Sequence, residues 1–71
     1  MRIEFDLEAD ALYVRFKDER PADNVDIQEG ITADFDASHR LIGIEILNVS
    51  RRLPPEALAT ITVQNLLPST R

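Results

Sequence analysis

Cysteine is absent from this sequence of 71 residues. Its absence excludes disulfides, thiolate zinc sites, redox motifs and cysteine nucleophiles. The sequence also lacks any apolar run near the roughly 18 residues that a membrane helix requires. The opening residues, Met1 to Glu4, alternate charged and apolar side chains and do not form the apolar core of a signal peptide. We therefore expect a cytoplasmic protein held together by packing and hydrogen bonds.

Glycine and clustered basic residues are also scarce. Gly30 and Gly43 are the only glycines, and both lie in strand-like segments, so phosphate-binding loops and dinucleotide fingerprints are absent. Arg51 and Arg52 form the only adjacent basic pair, whereas nucleic-acid affinity depends on clustered lysine and arginine. We expect no nucleic-acid partner, no membrane partner and no cofactor, and the composition disfavours an enzyme.

The length allows one domain, which we assign to residues 1–71. A domain of this size buries only about 60% of the surface that its unfolded chain exposes, so we expect self-association to add stability. The formal net charge is -5, and residues 1–36 hold eleven acids against four bases, whereas residues 37–71 hold two acids against four bases. The two halves therefore differ in the sign of their charge.

Two alternating segments near the start of the chain flank the polar stretch 7–10. This pattern predicts a β-hairpin with a four-residue loop. One register places every apolar pair on the same face, and a shift by one residue would set apolar side chains opposite charged ones. The predicted pairs are Phe5 with Leu12, Ile3 with Val14, and Met1 with Phe16.

A second hairpin is predicted around the loop 37–40 by the same test. Its predicted apolar pairs are Phe35 with Ile42, Ala33 with Ile44, and Ile31 with Ile46. Each hairpin loop follows an aspartate, Asp6 in the first and Asp36 in the second. We expect each carboxylate to accept a backbone N–H two residues further on.

The segment between the hairpins begins as a charged loop that contains proline and continues as a strand with Val25 and Ile27. Gly30 then predicts a bulge or a bend. After the second hairpin, Pro54 and Pro55 favour a short helix. Residues 60–63 are β-branched and predict a last strand, with one longer helix ending at Leu67 as the alternative.

These elements predict an α+β fold. It consists of an antiparallel sheet of two hairpins, a meander of about four strands, with a short C-terminal helix and a possible last strand. The predicted core of the sheet comprises Ile3, Phe5, Leu12, Val14, Phe16, Val25, Ile27, Ile31, Ala33, Phe35, Ile42, Ile44 and Ile46. The C-terminal residues expected to pack on it are Leu58, Ile61, Val63 and Leu66.

Two stretches, FDLEADALYVRF and DFDASHRLIGIEILNVSRRL, resemble the signature stretches of the family called domain of unknown function 2283. The resemblance covers roughly residues 1–53. It rests on E-A-D-A-L-Y (Glu8 to Tyr13), D-x-D (Asp34 and Asp36) and G-I-E-I (Gly43 to Ile46). It implies a compact prokaryotic β-rich domain with no established activity and no catalytic residues to carry over.

Three carboxylates, those of Asp34, Asp36 and Glu45, have the spacing of positions 1, 3 and 12 of a calcium-binding loop. However, His39 occupies the position where the sharp turn needs glycine, and the flanking segments alternate as strands where the motif needs helices. Family members often have Asp-Gly after D-x-D, whereas this chain has Ser38 and His39. We predict no metal site, and the three carboxylates remain the candidates of a rival metal-binding or enzymatic hypothesis.

The leading functional hypothesis is a protein-interaction module that acts as a homodimer or with a small protein partner. Leu41 and Leu47 lie on the strand face opposite the isoleucines, so we expect that face to be partly covered. The candidate interface residues are Tyr13, Leu41, Leu47, Arg51 and Arg52. No catalytic or cofactor-binding residue is predicted.

One form of this hypothesis depends on the resemblance alone. Some family members are thought to be encoded next to small toxin-like proteins, which implies an antitoxin-like role against a basic partner. The acidic residues expected to meet that partner are Glu4, Asp34, Asp36 and Glu45. A structural protein with no partner beyond itself is a further alternative.

Overall fold

The computed structural model describes residues 1–66. Within these residues, five strands are followed by two short helices. The strands are β1 (Arg2–Asp6), β2 (Ala11–Arg15), β3 (Asp23–Gln28), β4 (Ile31–Phe35) and β5 (Leu41–Leu47). The helices are α1 (Val49–Arg52) and α2 (Pro55–Ala59). No helix in this part of the chain is long and apolar enough to cross a membrane.

The α+β class is confirmed, but the sheet is not a simple meander. Its strand order is β1-β2-β5-β4-β3, and all pairs are antiparallel. The last strand returns to pair with β2, where Leu12 meets Ile46 and Val14 meets Ile44. This pairing continues the apolar face of the first hairpin into the second. In a meander, β5 would instead lie at an edge of the sheet.

The register of the first hairpin is confirmed at Ile3 opposite Val14 and at Phe5 opposite Leu12. Met1 precedes β1 and is 79% exposed. The ladder between β1 and β2 ends at Arg2 and Arg15, so the predicted pair of Met1 with Phe16 is not part of it.

The second predicted hairpin is correct in two of its three pairs. Ile31 lies opposite Ile46 and Ala33 opposite Ile44, but Phe35 lies opposite Leu41, not Ile42. The register shifts between Asp34 and Phe35. A bulge of this kind adds one unpaired residue to one strand, and alternation alone does not indicate where it falls.

A third hairpin joins β3 to β4 through a turn at Glu29 and Gly30. Gly30 has a φ of 83°, a left-handed conformation that glycine adopts without steric cost. The bend predicted at Gly30 is therefore a complete chain reversal. The register shift between Asp26 and Gln28 disturbs the alternation of β3, which explains why the hairpin was not evident from the pattern.

The two faces of the sheet differ sharply in polarity. Cross-strand pairs define an uninterrupted apolar row that spans all five strands, and we call the surface that contains it the apolar face. The row consists of Ile3, Val14, Ile44, Ala33 and Val25. The neighbouring row consists of Phe5, Leu12, Ile46 and Ile31 and ends at the polar Gln28 of β3. We call the opposite surface, which contains Tyr13 and Glu45, the polar face.

The predicted last strand is wrong. Residues 60–66 form neither strand nor helix, and α2 ends at Ala59; Leu67, the end of the alternative helix, lies outside the described residues. The strand propensity of a β-branched run does not by itself pair it with a sheet, even though β1 and β3 are edge strands. Ile61, Val63 and Leu66 are exposed and do not pack on the sheet as expected.

The apolar face consequently lacks a complete covering layer in the described part of the chain. Of the thirteen predicted core residues of the sheet, only Ala33 and Ile42 are buried; Val49, at the start of α1, is fully buried and was not predicted. Val25 is 47% exposed. The molecule measures 44 × 35 × 19 Å, so it is a flat layer.

Helix α1 is attached to the sheet at both of its ends. Its first amides meet the β1–β2 turn: the Val49 amide donates to the Asp10 carbonyl (3.1 Å), and Ser50 donates to the Asp10 carboxylate from its amide and its hydroxyl (2.7 Å). At the other end, Arg52 donates to the backbone carbonyls of Leu47 and Glu29. These contacts fix α1 across the end of the sheet.

We predict that Asp10→Ala lowers the free energy of unfolding by about 1–3 kcal/mol, because the helix loses its capping carboxylate and alanine is strained at a left-handed residue. The φ of Asp10 is 53°. Asp10→Gly removes the same hydrogen bonds without that strain and should cost less. Urea unfolding measures both values, and equal stability of Asp10→Ala and wild type would contradict the attachment.

Candidate functional site

The most connected group of polar side chains lies on the polar face. One cross-strand row there consists of Glu4, Tyr13, Glu45, Thr32 and Asp26. Thr32 donates a hydrogen bond to Asp26 across the edge of the sheet (3.1 Å). Tyr13 is at the centre of the group because its side chain extends over the neighbouring strand β5.

The Tyr13 hydroxyl donates a hydrogen bond to the carboxylate of Asp34. Asp34 lies on β4, two strands away from Tyr13, and pairs with Gly43 on the intervening strand. A β-carbon added at Gly43 would lie 2.5 Å from the Tyr13 hydroxyl oxygen and 2.9 Å from Cζ. Glycine is therefore required at this position for the phenol to cross β5 and reach Asp34.

Arg15 covers the other side of the tyrosine. Its guanidinium carbon lies 4.8 Å from the centroid of the Tyr13 ring, within the range of a cation–π contact. Its Nε is buried with no hydrogen-bond partner and lies 3.9 Å from a carboxylate oxygen of Glu4. Arg2 also approaches Glu4, at 3.6 Å. Glu4 lies opposite Tyr13 in the ladder, but the tyrosine hydrogen bond goes to Asp34.

These surroundings keep the phenol protonated. Burial raises the pKa of Tyr13 to about 12, and the hydrogen bond to Asp34 and its negative charge act in the same direction. The positive charge of Arg15 acts against them. A phenol with such a pKa is a hydrogen-bond donor at neutral pH and not a general base.

The two loop aspartates occupy the positions predicted for them. Asp6 accepts the backbone N–H of Glu8 (3.0 Å), and Asp36 accepts those of Ser38 (2.9 Å) and Arg40 (2.8 Å). Asp36 is only 6% exposed. The Arg40 amide, followed by the Ser38 amide, lowers the pKa of Asp36, although burial acts in the opposite direction. Asp36 is thus a turn-forming residue.

The three calcium-loop candidates are separately engaged. The Asp34 carboxylate accepts a hydrogen bond from the Tyr13 hydroxyl, the Asp36 carboxylate accepts one from the Ser38 amide of its own turn, and Glu45 pairs with Tyr13 in the ladder between β2 and β5. No group of three or more histidine, aspartate or glutamate side chains in residues 1–66 is arranged to hold a metal ion. His39 has a φ of 68° and its ring lies 5.4 Å from that of Phe35.

The remaining interface candidates do not form one surface. Leu41 and Leu47 are 44% and 40% exposed, respectively. They occupy opposite ends of β5, which places them about 20 Å apart. Arg51 is exposed on α1, whereas Arg52 uses its guanidinium to bind the chain's own carbonyls.

The polar face also contains a shallow depression of about 730 Å³ that is largely open to solvent. Alanine and leucine line part of it, together with Tyr13 and four carboxylates. The lining residues are Glu4, Phe5, Asp6, Leu7, Glu8, Ala9, Ala11, Tyr13, Glu45 and Leu47. This lining contains neither a nucleophile paired with a base nor a cationic group, so it holds no catalytic constellation.

A family profile described as protein of unknown function (DUF2283) matches residues 2–50. The chain belongs to this family. A search of curated proteins found no match, and a search of solved structures found none. The DUF2283 match spans all five strands and ends within α1. The family is one of unknown function, so membership assigns no activity to the site.

The motif residues of the DUF2283 resemblance meet in this site. Tyr13 belongs to the first motif, and Asp34 and Gly43 belong to the second stretch. Their contact could not be predicted from the sequence, because Tyr13 and Asp34 are separated by a strand whose position depends on the pairing of β2 with β5. A glycine inside a strand pattern was the one signal of close approach.

We predict that Gly43→Ala lowers the free energy of unfolding by about 1–3 kcal/mol, because the new methyl group displaces the phenol from Asp34. In a Tyr13→Ala background the same change should cost little, since nothing then crosses β5. Urea unfolding of the four proteins gives the coupling energy. A cost that is unchanged by Tyr13→Ala would contradict the proposed steric reason.

Tyr13 is the only tyrosine and the chain contains no tryptophan, so the ultraviolet absorbance of tyrosinate reports on Tyr13 alone. We expect a native titration midpoint near the raised pKa of about 12, and one near 10 in denaturant. Since the folded pKa is the higher one, the associated stability is present below pH 10 and lost as the pH rises towards 12. Asp34→Asn should lower the native midpoint, and a wild-type midpoint near 10 would contradict the hydrogen bond.

Proposed function

We propose that this chain is a protein-interaction module that acts by binding a protein on the apolar face of its sheet. The observation that carries the proposal is the apolar row that runs from β1 to β3 without a polar interruption. A sheet with one apolar face is stable when another layer covers that face. The described residues supply only two short helices for this purpose.

The exposure of the apolar side chains supports this proposal. Phe5 and Phe16 are 36% and 38% exposed, and Val25 and Ile27 are 47% and 59% exposed. A scattered exposed leucine is ordinary, but contiguous exposed apolar area on a folded chain typically marks an interaction site. Phe5 and Val25 lie on the same side of the sheet, so a single partner surface would cover them together.

The polar face supports binding over catalysis. Its central groups, Tyr13, Asp34 and Arg15, are directed at one another. The pKa of Tyr13 is raised and that of Asp36 is lowered, so both groups keep one charge state at neutral pH. A catalytic acid or base works best with a pKa near the working pH. A cytoplasmic location in a prokaryotic cell is part of this proposal.

An experiment in cells tests the proposal without assuming the identity of the partner. An epitope-tagged chain, expressed at a low level in a prokaryotic host related to its source, is separated by size from a gentle lysate. We expect it to migrate as a complex larger than one chain. Val25→Lys places a charge in the apolar row and should shift the tagged protein to the size of a single chain.

Leu47→Lys is the matched control for this experiment. Leu47 is 40% exposed, close to the 47% of Val25, but it lies on the polar face. The Leu47→Lys substitution should leave the complex intact. Migration of the unaltered chain at the size of a monomer would overturn the proposed function.

A further inference from the structure

We infer that the protein on the apolar face is a second copy of this chain, packed face to face so that two sheets form a sandwich. This inference rests on the proposed function and names its partner. The arrangement is symmetric, and each copy contributes the same apolar rows to the interface. Face-to-face sheets pack about 10 Å apart with their strands within about 30° of each other.

The surface area of the chain supports a second copy. The accessible surface is 5839 Å², whereas a folded monomer of 8.1 kDa is expected to expose about 4,500 Å². The excess of about 1,300 Å² is larger than the roughly 800 Å² that each partner buries in a standard interface. The uncovered apolar face and the exposed segment 60–66 both contribute to this excess.

The shape of the chain leads to the same conclusion. The Cα radius of gyration is 14.3 Å, whereas a compact domain of this length has a radius of about 11 Å. The shortest dimension is 19 Å, and the described strands form a single sheet. A second sheet would bring the assembly to the usual two-layer thickness of a domain.

The distribution of charge favours a copy of the chain over a charged partner. Each chain has a formal net charge of -5, so two copies would repel each other if the charges met. The apolar row and its neighbour contain no charged residue. The carboxylates of Glu4, Glu45 and Asp26 belong to the polar face. Face-to-face packing therefore keeps these charges in water and on opposite sides of the sandwich.

Light scattering on the purified chain across a dilution series tests the inference. We expect a mass of twice 8.1 kDa that falls to one chain on dilution. Val25→Lys should raise the dissociation constant by about a hundredfold or more, because its charge would be buried without a partner. Leu47→Lys, on the polar face, should leave the dissociation constant unchanged.

A cross-linking experiment locates the interface even if the lysine variant folds poorly. The chain has no native cysteine, so single cysteines can be placed on neighbouring residues of the central strand β5. Ile44→Cys lies on the apolar face and Glu45→Cys on the polar face. A short bis-maleimide reagent should join two copies of the Ile44→Cys variant and leave the Glu45→Cys variant as single chains.

The outcomes separate this inference from the proposed function. A purified chain that stays monomeric at every concentration overturns the second copy, and a larger complex in the lysate would then still support a different protein partner. The packing proposed here is also overturned if Leu47→Lys weakens the dimer or if the reagent joins two copies of the Glu45→Cys variant, because either result places the interface on the polar face. A dimer that neither cysteine cross-links, as expected for pairing of strand edges, overturns it as well.

Discussion

The pairing of β2 with β5 is the interaction on which the rest of this structure depends. A two-stranded hairpin is only marginally stable in water, and this pairing joins the first hairpin to the other three strands. It makes β5 the central strand and places Val14 opposite Ile44, which extends the apolar row across the sheet. A slip of one residue would move these side chains to the other face and would also move Gly43 away from Tyr13.

The same pairing gives the motifs of the DUF2283 family a physical explanation. Residues 2–50, which match the family, contain the complete sheet and the start of the helix that closes its end. Tyr13 comes from one motif stretch, and Gly43 and Asp34 come from the other. Their contact ties β2 to β4 across β5. Asp34, which first suggested a metal loop or an acidic interface, thus acts with Tyr13 and Gly43 as a connection between strands.

Sequence reasoning succeeded where local chemistry determines the structure. The turns at Asp6 and Asp36 follow from a carboxylate that accepts nearby amides, and four of the six predicted hairpin pairs follow from alternation around short loops. It failed where distant segments meet. The loop lengths do not indicate that β5 is the neighbour of β2. A bulge interrupts the alternation of a strand, and no particular residue type marks its position. The β-branched run 60–63 has strand propensity, but propensity alone does not bring it to the free edge of β1 or β3.

The uncovered apolar face is a further case in which local pattern was informative and the packing of distant segments was not. Alternation predicted four of the six apolar pairs within the two hairpins, but the layer expected to cover them was the C-terminal part of the chain. Helix α2 has five residues and is therefore about 7.5 Å long, whereas five strands span about 19 Å. A helix of that length covers one end of the face and leaves the centre open. Since the carboxylates of Glu4, Glu45 and Asp26 lie on the other side of the sheet, the layer proposed to complete the fold is apolar, and a second copy of the same face meets that requirement.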